Sequence, residues 1–210
     1  MKKIITIIFL INVCSPLFSQ FKRGLGFGTG TWGSGFHFAG DWRLDDNMFY
    51  GFELRFIDIK NEEELPVYNP YTGNSFNVGD KALIMFPIYA KIRYLPFEGK
   101  IANNFSPFIE FKLGPNFAID GDGDARRFKD RWDGAPRYTS YGGQIVIGVA
   151  FLLMSGAIIS QSIGYDFIAL GRSIDGRRSY DGTTINVTFT FGSSRQKLWK
   201  IFFLELIQIT

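Results

Sequence analysis

Cysteine is nearly absent from this 210-residue chain, and histidine is represented once. The single cysteine, Cys14, falls inside a leading segment that reads as an export signal, so the mature chain has no disulfide and no thiol chemistry. Beyond that segment no stretch offers ~20 consecutive apolar residues, which argues against an α-helical membrane span. Neither sign of charge dominates. The formal net charge is +3, with acids and bases interspersed, so nothing points to a nucleic-acid surface.

What the chain has in quantity is phenylalanine and glycine, 23 and 24 residues respectively, a mixture that suits strands and turns better than helices. Its length fits one domain, large enough for a real core or one closed barrel. At the start, Lys2 and Lys3 precede an apolar run from Ile4 to Val13 and a polar exit from Ser15 to Gln20. This pattern predicts a signal peptide over 1–19 with Ser19 the last residue removed, although Leu17 is larger than ideal two residues earlier. A lipid-modified Cys14 is the alternative, and Val13 stands where that modification wants a small residue.

The organising stretch runs from Ala82 to Ile119. Ile84, Phe86, Ile88, Ala90, Ile92 and Tyr94 fall on one side, and Leu83, Met85, Tyr89, Lys91 and Arg93 on the other. After a short polar connection, Ile109, Phe111, Leu113, Phe117 and Ile119 oppose Phe108, Glu110, Lys112, Gly114 and Asn116. A period of two sustained over such lengths means strands with one apolar and one polar face. The same alternation recurs to give eight strands, the first rich in glycine from Gly24 to Gly30 and the last built on Ile185, Val187, Phe189 and Phe191. Connections two, four and six are short and polar. Connections three (about 59–80), five (about 120–140) and seven (171–182) are long, and only the first breaks the contrast by being brief. Short turns at one end and long loops at the other, with an even strand count, suit a barrel in an outer membrane.

The polar face decides which side is inside. It mixes Gly, Ser, Thr and Asn with charges of both signs: Asp41, Arg43, Glu53, Arg55, Lys91, Arg93, Glu110, Lys112 and Asp166. An eight-stranded barrel has an interior just wide enough for packed side chains, which explains the small residues. The opposite face is bulky and uncharged, with Tyr50, Tyr94 and Tyr141 near strand ends as an interfacial belt. A soluble ligand-carrying barrel with its apolar face inward is the alternative. Buried charges cost several kcal/mol each unless paired, so the nine are expected to form a network. In the simplest register Arg93 faces Glu110 and Lys91 faces Lys112, leaving Glu53 as the best-placed acid to balance the lysines. A lumen so filled argues against a wide pore.

The exported start, eight alternating strands, polar lumen and final aromatic strand at Thr188-Phe189-Thr190-Phe191 resemble the small outer-membrane barrels of the OmpA and OmpX type, over about Gly24 to Gly192. The predicted fold is therefore all-β, an eight-stranded antiparallel up-and-down transmembrane barrel with a side-chain-filled lumen. It occupies 20–192, with 193–210 as a tail. The resemblance implies a non-enzymatic role in anchoring, adhesion or envelope maintenance, without a cofactor. It also implies both termini in the periplasm, insertion by the barrel-assembly machinery, and a monomer surrounded by outer-membrane lipid. A narrow channel or a hydrophobic-ligand carrier is the alternative.

Two features fit poorly. Pro87 and Pro115 lie inside strands, where bulges are expected, and the chain continues past its terminal aromatic. In 193–210, Lys197, Lys200, Glu205 and Gln208 share one helical arc, which suggests an amphipathic helix on the membrane surface; a ninth strand or a disordered tail is the alternative.

Candidate chemistry is thin. His37 with nearby Ser34 raises a lipid-modifying enzyme, but no nucleophile elbow surrounds them. Asp120, Asp122 and Asp124 suggest a calcium loop, yet Ala125 and Arg131 stand where that loop needs Gly and Glu. Arg126, Arg127, Lys129, Arg131, Arg177 and Arg178 could meet lipopolysaccharide phosphates from the loops.

Overall fold

The computed structural model describes residues 21–60, 65–68, 70–71, 73, 75–78, 82–102, 104–123, 127–174 and 177–192. The expected signal segment and the tail 193–210 lie outside these residues. Eight antiparallel strands form the wall: β1 (Lys22–Gly30), β2 (Gly33–Arg43), β3 (Met48–Ile59), β6 (Ala82–Tyr94), β7 (Phe105–Gly121), β8 (Arg137–Leu152), β9 (Ile158–Ile174) and β11 (Gly182–Gly192). Each pairs with the next, and β1 pairs with β11 from Lys22↔Gly192 to Gly30↔Thr184, so the sheet closes on itself. Closure leaves none of the eight wall strands at a free edge, so their backbone groups pair mainly with one another.

The long connections hold structure that their polar composition concealed. Between β3 and β6, β4 (Leu65–Tyr68) and β5 (Ser75–Val78) form a separate hairpin. Between β7 and β8 sits a one-turn helix, α1 (Phe128–Trp132), whose Arg131 carbonyl accepts from the Asp122 N–H at 2.9 Å. Between β9 and β11, β10 (Arg177–Ser179) continues the pairing along β9 with a register shift. We call this the loop end of the barrel. The turn end carries the connections 44–47, 95–104 and 153–157. The Leu95 N–H there donates to the Asn47 carbonyl at 2.8 Å, and the Leu152 N–H to the Asn104 carbonyl at 2.9 Å.

Side chains alternate as a strand requires. Leu113 is 70% exposed on the outside, while its neighbour Lys112 is 8% exposed inside. Leu25, Phe36, Phe111, Ile147 and Ile185 extend the apolar outer face around the circumference. The outward tyrosines Tyr50, Tyr94 and Tyr141 are exposed as well.

The expected bulges at the two prolines are absent. The β3–β6 ladder keeps one register from Leu54↔Ile88 to Ile57↔Met85, and the β6–β7 ladder from Pro87↔Asn116 to Ala90↔Leu113. Pairing lapses on one side of each proline instead, at Arg55 and Phe56 of β3 facing Pro87 and at Ile88 and Tyr89 of β6 facing Pro115, while Pro87↔Asn116 and Pro115↔Tyr141 hold. A bulge would have shifted the register, and in a closed sheet that error would propagate around the wall. Local loss of pairing is the smaller disturbance. Gly114 helps, because a side-chain carbon there would strike the Ile88 carbonyl of the facing strand.

Three tiers fill the lumen. At the loop end Ile59, Leu83, Met85, Ala118, Ile168, Leu170, Ile174 and Tyr180 form an apolar cluster. At the turn end Phe49, Leu95, Phe108 and Val146 form a second. Charged and polar residues occupy the level between.

Candidate functional site

The middle tier is built by consecutive strands. Asp41 comes from β2, Glu53 and Arg55 from β3, Lys91 and Arg93 from β6, Glu110 and Lys112 from β7, and Asp166 reaches in from β9. Each sits on the inward parity of its strand, and each of Asp41, Glu53, Arg55, Lys91, Glu110, Lys112 and Asp166 is buried.

The contacts run as a continuous chain of alternating charge. Arg55 Nη1 donates to Asp166 Oδ1 at 2.9 Å, and its Nε stands 3.6 Å from Glu53 Oε1. Lys112 Nζ donates to both oxygens of Glu53, at 2.8 and 2.7 Å, and lies 3.1 Å from Glu110 Oε1. Arg93 Nε donates to Glu110 Oε2 at 2.7 Å, and Lys91 Nζ is 3.7 Å from the same oxygen. Lys91 then closes on Asp41 Oδ1 at 2.8 Å, as an ion pair whose angles fall short of a hydrogen bond. Four cations meet four carboxylates. Neutrality at this depth matters because desolvating each ion costs several kcal/mol, which only close partners offset.

The register places Arg93 opposite Glu110 and Lys91 opposite Lys112. The two facing lysines are separated by acids on either side, with Glu53 holding Lys112 and Asp41 holding Lys91. Arg43 stands apart from the chain. As the last residue of β2 it turns back over the 44–47 connection, donating to the Asp45 and Asp46 carbonyls at 3.2 and 2.9 Å and pairing with the exposed Asp46 carboxylate.

Apart from Asp166, the remaining wall, β8, β9, β11 and β1, supplies mostly small and neutral groups. Gln144 Nε2 donates to Thr184 Oγ1 at 2.7 Å, and Asn116 Nδ2 to Ser140 Oγ at 3.3 Å. His37 fills the space left by Gly26 and bonds Thr188 Oγ1 through Nε2 at 2.8 Å. Ser34, three residues from His37 on one strand, lies on the opposite face, so the two do not form a nucleophile and base.

The loop cations are distributed rather than clustered. Arg127, Lys129 and Arg178 are exposed, Arg131 donates to the Gly123 carbonyl at 3.2 Å, and the Arg177 guanidinium lies 4.3 Å from the centre of the Trp32 ring. Arg126 and Asp124 lie outside the described residues. Among the described residues, no three His, Cys, Asp or Glu side chains gather as metal ligands.

A closed eight-stranded wall, apolar outside and charged within, defines the class: a small β-barrel with the architecture of outer-membrane proteins. No family model matches the chain, and no curated protein matches it. Among solved structures it resembles Neisserial surface protein A, at a TM-score of 0.54 and 12% identity, covering 81% of this chain and 94% of that one. It also resembles a major outer membrane protein from Thermus thermophilus, at a TM-score of 0.50 and 13% identity, covering 81% and 98%. At such identities the shared property is the fold.

Proposed function

We propose that this chain is a non-enzymatic outer-membrane barrel whose long loops face the exterior and mediate a structural or interaction role. The observation that carries this reading is the pairing of an outward face of Leu, Ile and Phe with a lumen closed by matched ions. Exposed apolar side chains encircling the barrel are costly in water and at ease in hydrocarbon. Lumen charges that satisfy one another support a plug rather than a passage. The short connections then lie in the periplasm with both termini. Arg127, Lys129 and Arg178 on the exterior would meet lipopolysaccharide phosphates.

The test is gel mobility of the protein from outer-membrane fractions, in cold SDS and after boiling. A folded barrel migrates anomalously until heated; recovery in a soluble fraction with no heat shift would overturn the reading. Replacing the exposed loop cations by Ser should weaken lipopolysaccharide binding. Unchanged binding would remove that partner and leave the barrel intact. Conductance across planar bilayers should be absent, and steady single-channel steps would favour a narrow channel.

A further inference from the structure

At the turn end, below the ion network, the lumen opens into a cavity of about 240 Å³. Its charged lining is Lys22, Arg43, Arg93, Asp41 and Glu98. Most of these are spoken for: Arg93 by Glu110, Asp41 by Lys91, and Arg43 by Asp46 at the rim. Two are not. Among the described residues no carboxylate lies within ion-pair distance of Lys22, whose ammonium sits 4.9 Å from the centre of the Phe49 ring. Across the connection 95–104, Glu98 Oε2 is shielded from solvent and has no hydrogen-bond partner. The rest of the wall is apolar at Phe49, Leu95 and Leu152, with the hydroxyls of Ser106 and Thr190 beside them.

One unpaired cation and one unpartnered carboxylate oxygen on the same cavity, with an apolar surface beside them, are complementary to a zwitterion. Buried polar atoms without partners are costly, and a ligand carrying both charges satisfies both at once. A simple anion would leave Glu98 Oε2 without a partner, and a simple cation would leave Lys22 without one. The volume admits a molecule of amino-acid size. We propose that this cavity binds a small zwitterion of the α-amino acid type with an apolar side chain. Its carboxylate meets Lys22, its ammonium meets Glu98, and its side chain lies on Phe49, Leu95 and Leu152. The site is a property of the lumen and holds whichever compartment that end faces.

The experiment is titration of the full-length barrel, folded in detergent micelles, with leucine, isocaproate and isoamylamine, followed by NMR shifts and calorimetry. Leucine should bind saturably and at least tenfold more tightly than either half-charged analogue. Lys22→Met and Glu98→Gln should each weaken leucine binding at least tenfold, and Glu98→Gln should abolish the preference for leucine over isocaproate. Lys22→Arg and Glu98→Asp keep the charges, so they should retain binding within a few fold and guard against loss through misfolding. Lys60→Met, at the other end, should change nothing. Absence of saturable leucine binding, or isocaproate binding as tightly as leucine to the unmodified protein, would overturn the proposal.

Discussion

Two halves of the barrel wall face each other with different chemistry. Strands β2, β3, β6 and β7 send Asp41, Glu53, Arg55, Lys91, Arg93, Glu110 and Lys112 into the lumen. Strands β8, β9, β11 and β1 send mostly Gly, Ser, Thr, Asn and Gln, with Asp166 the one charge among them in the ion network. The difference shows how a narrow barrel fills itself. Long charged side chains from one half need space, and the other half provides it by shrinking, with Gly24, Gly26 and Gly28 in succession on β1. Electrostatics therefore fixes one half and steric fit the other, and the two respond differently to substitution.

The largest effect should come from the charged half. Lys112→Met leaves Glu53 and Glu110 facing each other without their shared ammonium, and should destabilise the barrel by about 3–5 kcal/mol in urea unfolding from lipid vesicles. Adding Glu53→Gln should return part of that loss, because the two positions share one interaction. In the small half, Gly28→Ala places a methyl against Asn186 Oδ1 and should cost about 1–3 kcal/mol. Asn186→Ala in the same chain should relieve most of it, and strictly additive costs would contradict the steric account.

His37 bridges the halves, so His37→Ala should cost about 1 kcal/mol through the lost bond to Thr188. Last comes Arg43→Gln, which removes a pair whose Asp46 partner is exposed at the rim and should change stability by less than about 1 kcal/mol. If Arg43→Gln rivalled Lys112→Met, the distinction between a buried ionic tier and a solvated mouth would fail.

The period of two made much of this legible. It assigns a face to every strand residue, and the simplest register across the β6–β7 connection then sets Arg93 opposite Glu110. Height along the barrel is what alternation does not encode. Leu83, Met85 and Phe108 share a face with Lys91 and Lys112, yet they belong to the apolar tiers above and below the ions. For the same reason Arg43 joins the charged face by parity while its position at the end of β2 takes it out of the ion network. Lys22 precedes the glycine alternation that marks the first strand, and Glu98 lies in a turn, so neither stood out as part of a cavity. The β4–β5 hairpin and α1 were hidden because loop composition reports solvent exposure more strongly than local structure.

The central claim is that the outer face meets lipid while the ions stay within. It is tested most directly by attaching an environment-sensitive fluorophore at Leu113→Cys, midway along β7, or at Arg178→Cys in the loops, in a chain without Cys14. Quenching by lipids brominated on their acyl chains should be strong at position 113 and absent at position 178. Free access of aqueous iodide to position 113, with no quenching by brominated lipid, would contradict the account.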